Sequence, residues 1–362
     1  MPYRVVQWGT GAIGSFALKQ LINNPQYELV GVYVYTDEKD GVDAGEIAGT
    51  ASTGIRATRN RDEILALDAD VVLHMPRGQG SMDRHDDDVM ALLRSGKNVV
   101  STVGYASPRL HGDDYAAKLE AAALDGGSTL FGTGIDPDFT LSRIPAAATG
   151  MCMDVSHIYL SEVADISVGS NAGTLLEIAG IGKDPAEFTP DMEGAQYLLW
   201  IMPEVGDLLA RNLGVEPEKG EEEFQILLAT RDFEIPVTPI KTGTIVGARY
   251  QRRVFWQGRE FLHLDWYLTV QRDLPGFPPL IDGSDARWTI EVEGTPSMRI
   301  VWDSLHSLSG GSGETQNGLA SWVYATGTVA LRSIPGVVAG PPGLFKVPLF
   351  GAWNANGPHF TP

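Results

Sequence analysis

Gly9-Thr10-Gly11-Ala12-Ile13-Gly14 stands directly after a short apolar run, Tyr3-Arg4-Val5-Val6-Gln7-Trp8. Each glycine has a mechanical task available to it. Gly9 permits a sharp exit from a buried strand, and Gly11 carries no side chain to keep a pyrophosphate off the backbone. Gly14 lets the next helix pack closely on the strand, with its N–H groups and positive dipole end toward the phosphates. Such turns also occur for purely structural reasons, so context decides. An amphipathic helix follows (Phe16, Ala17, Leu21, Ile22), then a second strand over Glu28–Tyr35. The spacing predicts a dinucleotide site built on Gly9, Thr10, Gly11, Ala12, Ile13 and Gly14.

The end of the second strand bears on cofactor choice. An acid there binds the ribose 2′-hydroxyl and favours NAD. Here the strand runs out at Tyr35-Thr36 before Asp37-Glu38-Lys39. Thr36 and Lys39 suit a 2′-phosphate and Asp37 opposes it, so the expectation is NADP, with NAD also accepted.

These residues need a scaffold, and the first 134 residues supply alternating patterns for one. Strands read at 3–8, 28–35, 69–75, 97–102 and 128–133, with a weaker one near 54–57; helices fill 12–23, 61–66, 84–95 and 113–125. Ser95-Gly96 and Gly126-Gly127 end two of the helices. The fold class expected is α/β: a doubly wound Rossmann domain, then an α+β domain with a largely antiparallel sheet. Ligands of such sheets lie beyond the carboxyl ends of the strands, which makes the loops after His74, Thr102 and Thr133 the expected lining.

Beyond residue 150 the period changes to two. Leu262, Leu264, Trp266, Leu268 and Val270 alternate with His263, Asp265, Tyr267, Thr269 and Gln271; Trp288, Ile290, Val292 and Met298, Ile300, Trp302 repeat the pattern. Gln257-Gly258 reads as a hairpin turn between 244–256 and 259–271, and helices are expected near 172–181 and 192–213. Residues 307–318 read as a flexible polar loop. An apolar helix over 319–334, ended by Pro335-Gly336, then returns to the first domain, and Pro341-Pro342-Gly343 opens a loosely structured tail. The domains expected are 1–134 with 319–362 for the dinucleotide, and 135–318 for substrate and dimerisation.

Composition narrows the function class. A formal charge of −19 opposes nucleic acid and anionic membrane partners, and one cysteine, Cys152, excludes an intrachain disulfide. No apolar run reaches the ~18 residues of a membrane span, and no secretory signal is visible. A cytoplasmic enzyme acting on a small molecule is the economical expectation. The runs Asp86-Asp87-Asp88 and Glu221-Glu222-Glu223 read as a solvated helix face or loop, and the seven histidines lack ligand spacing, so no metal is expected.

Several segments coincide with one family: residues 3–11, Lys97-Asn98-Val99-Val100-Ser101-Thr102, Gly132-Thr133-Gly134-Ile135-Asp136-Pro137-Asp138-Phe139, Ser333-Ile334-Pro335 and Ala339-Gly340-Pro341-Pro342-Gly343. Together they resemble the dihydrodipicolinate-reductase-like oxidoreductases of actinobacteria, a group similar to 2,4-diaminopentanoate dehydrogenase and native amine dehydrogenases. The resemblance runs over nearly the whole chain. It implies an NAD(P)-binding domain, a homodimer formed through the second domain, and hydride chemistry on a C=N or C=O bond. The paired histidines and Pro-Ser-Gly-Thr run of dihydrodipicolinate reductase itself are missing. So is the glutamate that the amine-dehydrogenase branch carries after Ser-Thr, because the loop reads Val103-Gly104-Tyr105-Ala106-Ser107-Pro108.

Within that frame Tyr105 is a candidate proton donor to a carbonyl oxygen, against a ring that only packs. Asp138 stands where relatives often have glycine and is the second catalytic candidate, with Asp136 in an Asp-Pro turn beside it. His74 and Thr102 join the cofactor-binding set. Phe139 and Glu162 are the substrate-pocket candidates; Glu162 and Asp165 are explained as well by a sheet face with satisfied carboxylates, and Trp200, Trp256 and Trp266 read as core rather than as a ligand wall. The function expected is reduction or reductive amination of a hydrophobic carbonyl or imine, at the cleft between domains. The alternatives are a carbonyl reductase without ammonia chemistry, and a catalytically degenerate cofactor-binding protein.

Overall fold

The computed structural model describes residues 1–78, 82–167, 176, 179–189, 192–305 and 320–357. In chain order the first unit comprises β1 (Tyr3–Trp8), α1 (Ala12–Asn23), β2 (Tyr27–Tyr33), α2 (Ala44–Ala48), α3 (Arg61–Ala66), β3 (Val71–His74), α4 (Asp86–Arg94), β4 (Asn98–Ser101), α5 (Asp113–Gly126) and β5 (Thr129–Gly132). After a kinked helical stretch, Ile135–Arg143, the second unit carries α6 (Ile144–Thr149), β6 (Val155–Asp165), α7 (Glu193–Asn212) and β7 (Glu221–Leu228). It continues with β8 (Phe233–Ile235), β9 (Thr238–Ile240), β10 (Ile245–Trp256), β11 (Arg259–Thr269), β12 (Ser284–Gly294) and β13 (Met298–Leu305). Most of α8 (Ser321–Val338) and β14 (Gly343–Leu344) then rejoin the first unit. The helix expected near 172–181 falls largely, and the loop 307–318 wholly, outside the described residues.

The first unit is a six-stranded parallel sheet in the order β14-β5-β4-β3-β1-β2. Its strands are apolar on both faces because helices cover both. Val5, Leu73, Val100 and Phe131 pack with α1 and α8 through Leu18, Leu21, Leu331 and Ile334. Their neighbours Val6, Val72, Val99 and Leu130 pack on the opposite face with α4 and α5 through Leu92, Leu93 and Leu119. The expected doubly wound sheet is present. The weak strand near 54–57 reduces to isolated bridges, Asp43 with Arg56 and Tyr33 with Thr58.

The second unit holds a six-stranded sheet in the order β13-β12-β6-β11-β10-β7. All of its pairings are antiparallel except β6 with β11, so the sheet is mixed rather than simply antiparallel. The β10–β11 hairpin turns at Gln257-Gly258, both left-handed (φ 52° and 71°), as a two-residue hairpin requires. Glu221, Glu222 and Glu223 open strand β7, where Glu221 and Glu222 face Arg253 and Arg252 of β10; they are neither helix nor loop.

Two further expectations are corrected. Helix α8 does not stop at Pro335 but continues to Val338. Proline there removes the N–H that would bond the Leu331 carbonyl four residues back, and the Tyr27 hydroxyl donates to that carbonyl instead, at 3.1 Å. The tail is not loose at its start: Gly343 and Leu344 pair with Thr129 and Leu130 as the sixth strand, and Phe345 packs edge-on against Phe131. Replacing Tyr27 by Phe leaves the Leu331 carbonyl without its donor. We expect a loss of about 1 kcal/mol in urea unfolding, with no change in the denaturant slope.

Candidate functional site

The glycine-rich turn is built by close approach. A Cβ on Gly9 (φ 89°) would lie 2.6 Å from the Met75 carbonyl oxygen, and one on Gly14 would lie 2.2 Å from that of Gly9. A Cβ on Gly11 would meet nothing within 4 Å. Two glycines thus lock β1, α1 and the end of β3 together, while the third faces open space. Gly11 is also the N-cap of α1; no side chain caps that terminus and no acid stands in its first turn. The amides of Ala12, Ile13 and Gly14 have no intrahelical acceptors by helix geometry, and the dipole makes this end favourable for an anion. An open cradle lined by unpaired N–H groups fits a dinucleotide pyrophosphate.

Lys39 is tied to this turn. Its ammonium donates to the Thr10 carbonyl at 2.7 Å and to Thr10 Oγ1 at 3.1 Å, which fixes a cation beside the cradle. Thr36 precedes the short turn Asp37–Lys39. Asp37, the acid that would discriminate against a 2′-phosphate, is ion-paired with Arg59. Arg59 is held in turn by its own N–H on Asp40 Oδ1 at 3.0 Å.

At the carboxyl ends of β3 and β4 sits a buried polar and aromatic group. His74 is fully buried, with Nδ1 3.0 Å from the Ser101 hydroxyl. Its ring lies edge-on to His85 and Tyr105, with centroids 5.5 and 6.5 Å away, and 6.4 Å from Trp8. The Thr102 backbone N–H donates to the His74 carbonyl at 3.1 Å. Trp8 stacks on Tyr33 at 3.8 Å and donates from Nε1 to the Tyr35 hydroxyl at 2.8 Å.

Tyr105 is held in a left-handed conformation (φ 66°), its ring is buried in the α4–α5 core, and its hydroxyl donates to Asp86 Oδ1 at 2.9 Å. The Tyr115 hydroxyl donates to the same oxygen at 3.0 Å. Asp86 is therefore a structural acceptor at the N-terminus of α4, and the reading of the three aspartates as one solvated face is corrected. Only Asp87 is exposed, and Asp88 pairs with Arg61 at 3.2 Å. Burial raises the carboxyl pKa of both Asp86 and Asp88.

In the second unit Asp138 is buried and held by Arg143, whose Nε lies 2.9 and 3.0 Å from its two oxygens. The Arg143 guanidinium lies 5.5 Å from the Phe139 ring centroid, and Phe139 is 38% exposed. Glu162 is buried and accepts from Trp288 Nε1 at 2.9 Å. His85, Arg59 and Arg143 were not singled out from sequence, and Asp86 was read only as one of an acidic run. An acid-rich helix start followed by paired apolar positions could have flagged Asp86; nothing local marks the other three.

The two histidines carry a pH dependence. Burial, then repulsion from Arg84, pushes His85 down to about 4 despite a hydrogen bond to the Arg77 backbone. Burial, with His85 as neighbour, holds His74 well below the ordinary 6.5. Unfolded, both imidazoles bind protons near pH 6.5; folded, His85 does so only near 4 and His74 lower still. The unfolded state binds more protons through that window, so stability falls as pH drops from 6.5 toward 4. Asp86 and Asp88, with raised pKa values, take up protons in the folded state and offset part of the loss at the acidic end. Thermal unfolding should show a lower Tm at pH 5 than at pH 7, and His85→Phe should shrink that difference.

A 2,4-diaminopentanoate dehydrogenase C-terminal domain model matches residues 139–355, well over half of the chain. The chain is 25% identical over 345 residues to an amine dehydrogenase of Streptomyces virginiae, covering 94% of each. Its fold is similar to that of an amine dehydrogenase from Mycobacterium smegmatis, with a TM-score of 0.75, 19% identity and 95% of each chain covered. GenD2 of gentamicin A biosynthesis, solved in complex with NAD, is similar at a TM-score of 0.56 and 14% identity, over 93% of this chain and 86% of its own. With the dinucleotide cradle on β1 and α1, these matches place the chain in the family defined by the 2,4-diaminopentanoate dehydrogenase C-terminal domain, as an NAD(P)-dependent oxidoreductase.

Proposed function

We propose that this oxidoreductase reduces a C=N or C=O bond of a hydrophobic carbonyl or imine, prefers NADP to NAD, and works as a cytoplasmic homodimer dimerising through its second unit. The observation that carries the reading is the cradle: open space at Gly11, free helix amides, and Lys39 anchored on Thr10. When bound, the nicotinamide supplies hydride from its C4 to the electrophilic carbon. The α1 amides hold the pyrophosphate. Thr36, Lys39 and Arg59 would hold a 2′-phosphate, and the Asp37–Arg59 pair would offset the charge that repels one. Thr102 would stand at the nicotinamide end, while His74, 0% exposed, would act there only from beneath the surface. No helix among the described residues is long and apolar enough to cross a membrane.

Tyr105 and Asp138 enter this proposal as positioning residues. The phenol proton of Tyr105 is engaged by Asp86, and the Asp138 carboxylate by Arg143. Each bond fixes a segment, the loop after β4 and the stretch after β5, on which substrate contacts such as Phe139 depend. Glu162 supports the second unit's sheet through Trp288. A positioning role predicts that Tyr105→Phe and Asp138→Asn raise KM and lower Tm while the pH profile of kcat keeps its shape. A proton-donating role predicts a lost limb in that profile.

The amine-dehydrogenase relative favours ammonia chemistry, and the lack of a carboxylate in residues 103–108 favours a plain carbonyl reductase. Oxidation of NADPH over a panel of aliphatic, cyclic and aromatic ketones and aldehydes, with and without ammonium, separates them. Ammonium-dependent turnover supports the first reading and ammonium-independent turnover the second; no turnover with any member overturns both. Lys39→Met should weaken NADPH binding about tenfold more than NADH binding, the loss of one charge-assisted contact. Equal losses for the two cofactors would remove the NADP assignment.

A further inference from the structure

His74 and His85 each end in a buried ring nitrogen that no described protein group satisfies. The Nε2 atoms of both lack a hydrogen-bond partner among the described residues, and the residues are 0% and 7% exposed. Buried polar atoms left in this way are costly, and each calls for an explanation. The surrounding polar groups cannot supply one. Trp8 Nε1 is taken by Tyr35 and the Tyr105 hydroxyl by Asp86.

The tautomers follow from the other ring nitrogens. The Ser101 oxygen accepts the Val103 N–H at 3.3 Å, and the acceptor facing its hydroxyl proton is His74 Nδ1 at 3.0 Å. With the Ser101 hydroxyl assigned as the donor to Nδ1, neutral His74 carries its proton on Nε2, the assignment that the experiment below tests. His85 bonds the Arg77 backbone through its other nitrogen, and a carbonyl acceptor requires the proton on Nδ1. Its Nε2 is left as a lone pair. One orphan is therefore a donor and the other an acceptor. The two rings are neighbours, edge to face with their centroids 5.5 Å apart, so a single small molecule is short enough to reach both orphaned atoms.

We propose that His74 and His85 form a buried site for one water-sized, uncharged molecule that accepts from His74 Nε2–H and donates to His85 Nε2. Water and ammonia share that chemistry. The ammonia arm rests on the amine-dehydrogenase reading; the site itself rests on the geometry. It lies at the carboxyl ends of β3 and β4, where the proposed reaction would use a small polar reactant or a proton carrier.

Long-range proton–nitrogen correlation spectra of the full-length protein labelled with ¹⁵N-histidine test it without recourse to turnover. The expected result is a neutral Nε2–H tautomer for His74 and a neutral Nδ1–H tautomer for His85. Titration with ammonium chloride at alkaline pH, against sodium chloride at equal ionic strength, then identifies the occupant. Saturable shifts of both Nε2 resonances indicate ammonia. No such shift, together with cross-relaxation from His74 Nε2–H to a long-lived water, indicates water. Any other tautomer pair, or neither response, overturns the site. His85→Phe should displace the His74 Nε2–H resonance and His85→Gln, which retains an acceptor, should largely restore it; an unchanged resonance in both overturns it as well.

Discussion

The constraint on which this protein turns is the absence of three side chains at one bend. Gly14 lies so close to the Gly9 carbonyl, and Gly9 to the Met75 carbonyl, that a methyl group at either would collide with backbone. Backbone cannot retreat as a flexible side chain can, so β1, α1 and the exit of β3 are held in one arrangement. That arrangement orders the first unit's sheet, aims the α1 N-terminus outward, and brings His74 to the end of its strand. Gly11 stands between the two contacts and is the one left open. Structural and functional demands on the same six residues are thereby separated atom by atom.

Within each unit the polar side chains named above are largely committed in advance. Lys39 is held by Thr10, Asp37 by Arg59, Tyr105 by Asp86, Asp138 by Arg143, and Glu162 by Trp288. Removing Arg143 or Trp288 would strand a buried carboxylate, Asp138 or Glu162, a large penalty in low dielectric, whereas the Asp37–Arg59 pair is exposed and worth little to stability. The framework is therefore rigid before any ligand arrives, as a site that must orient two reactants requires. The His74–His85 pair stands apart from these, with two unsatisfied nitrogens side by side; the Gln7 side-chain oxygen on β1 is likewise unsatisfied among the described residues.

The sheet of the first unit was legible because its strands are doubly covered and its glycine turn is local: Val5 and Val6, or Val71 and Val72, serve opposite faces within a few residues. The β10–β11 hairpin was legible for the same reason, from strict alternation and Gln257-Gly258. What escaped were effects of distance in sequence. Whether Pro335 ends α8 depends on Tyr27, over three hundred residues earlier, and the pairing of Gly343 with Thr129 depends on the return of the chain to the first unit. The parallel placement of β11 beside β6 is likewise invisible locally. The same limit applied to the site: Tyr105 was visible as a residue, but its partner Asp86 and the orphaned ring of His85 emerge only once α4 is set against the loop after β4.

The most direct test of the account is cofactor binding to the wild-type chain and to Gly11→Val, measured by calorimetry beside thermal unfolding. The account predicts that the variant keeps its Tm, since the space at Gly11 is open, and loses NADPH affinity by at least about a hundredfold as the side chain fills the cradle. Equal affinity in both proteins, or no NAD(P)H binding by the folded wild type, would contradict it.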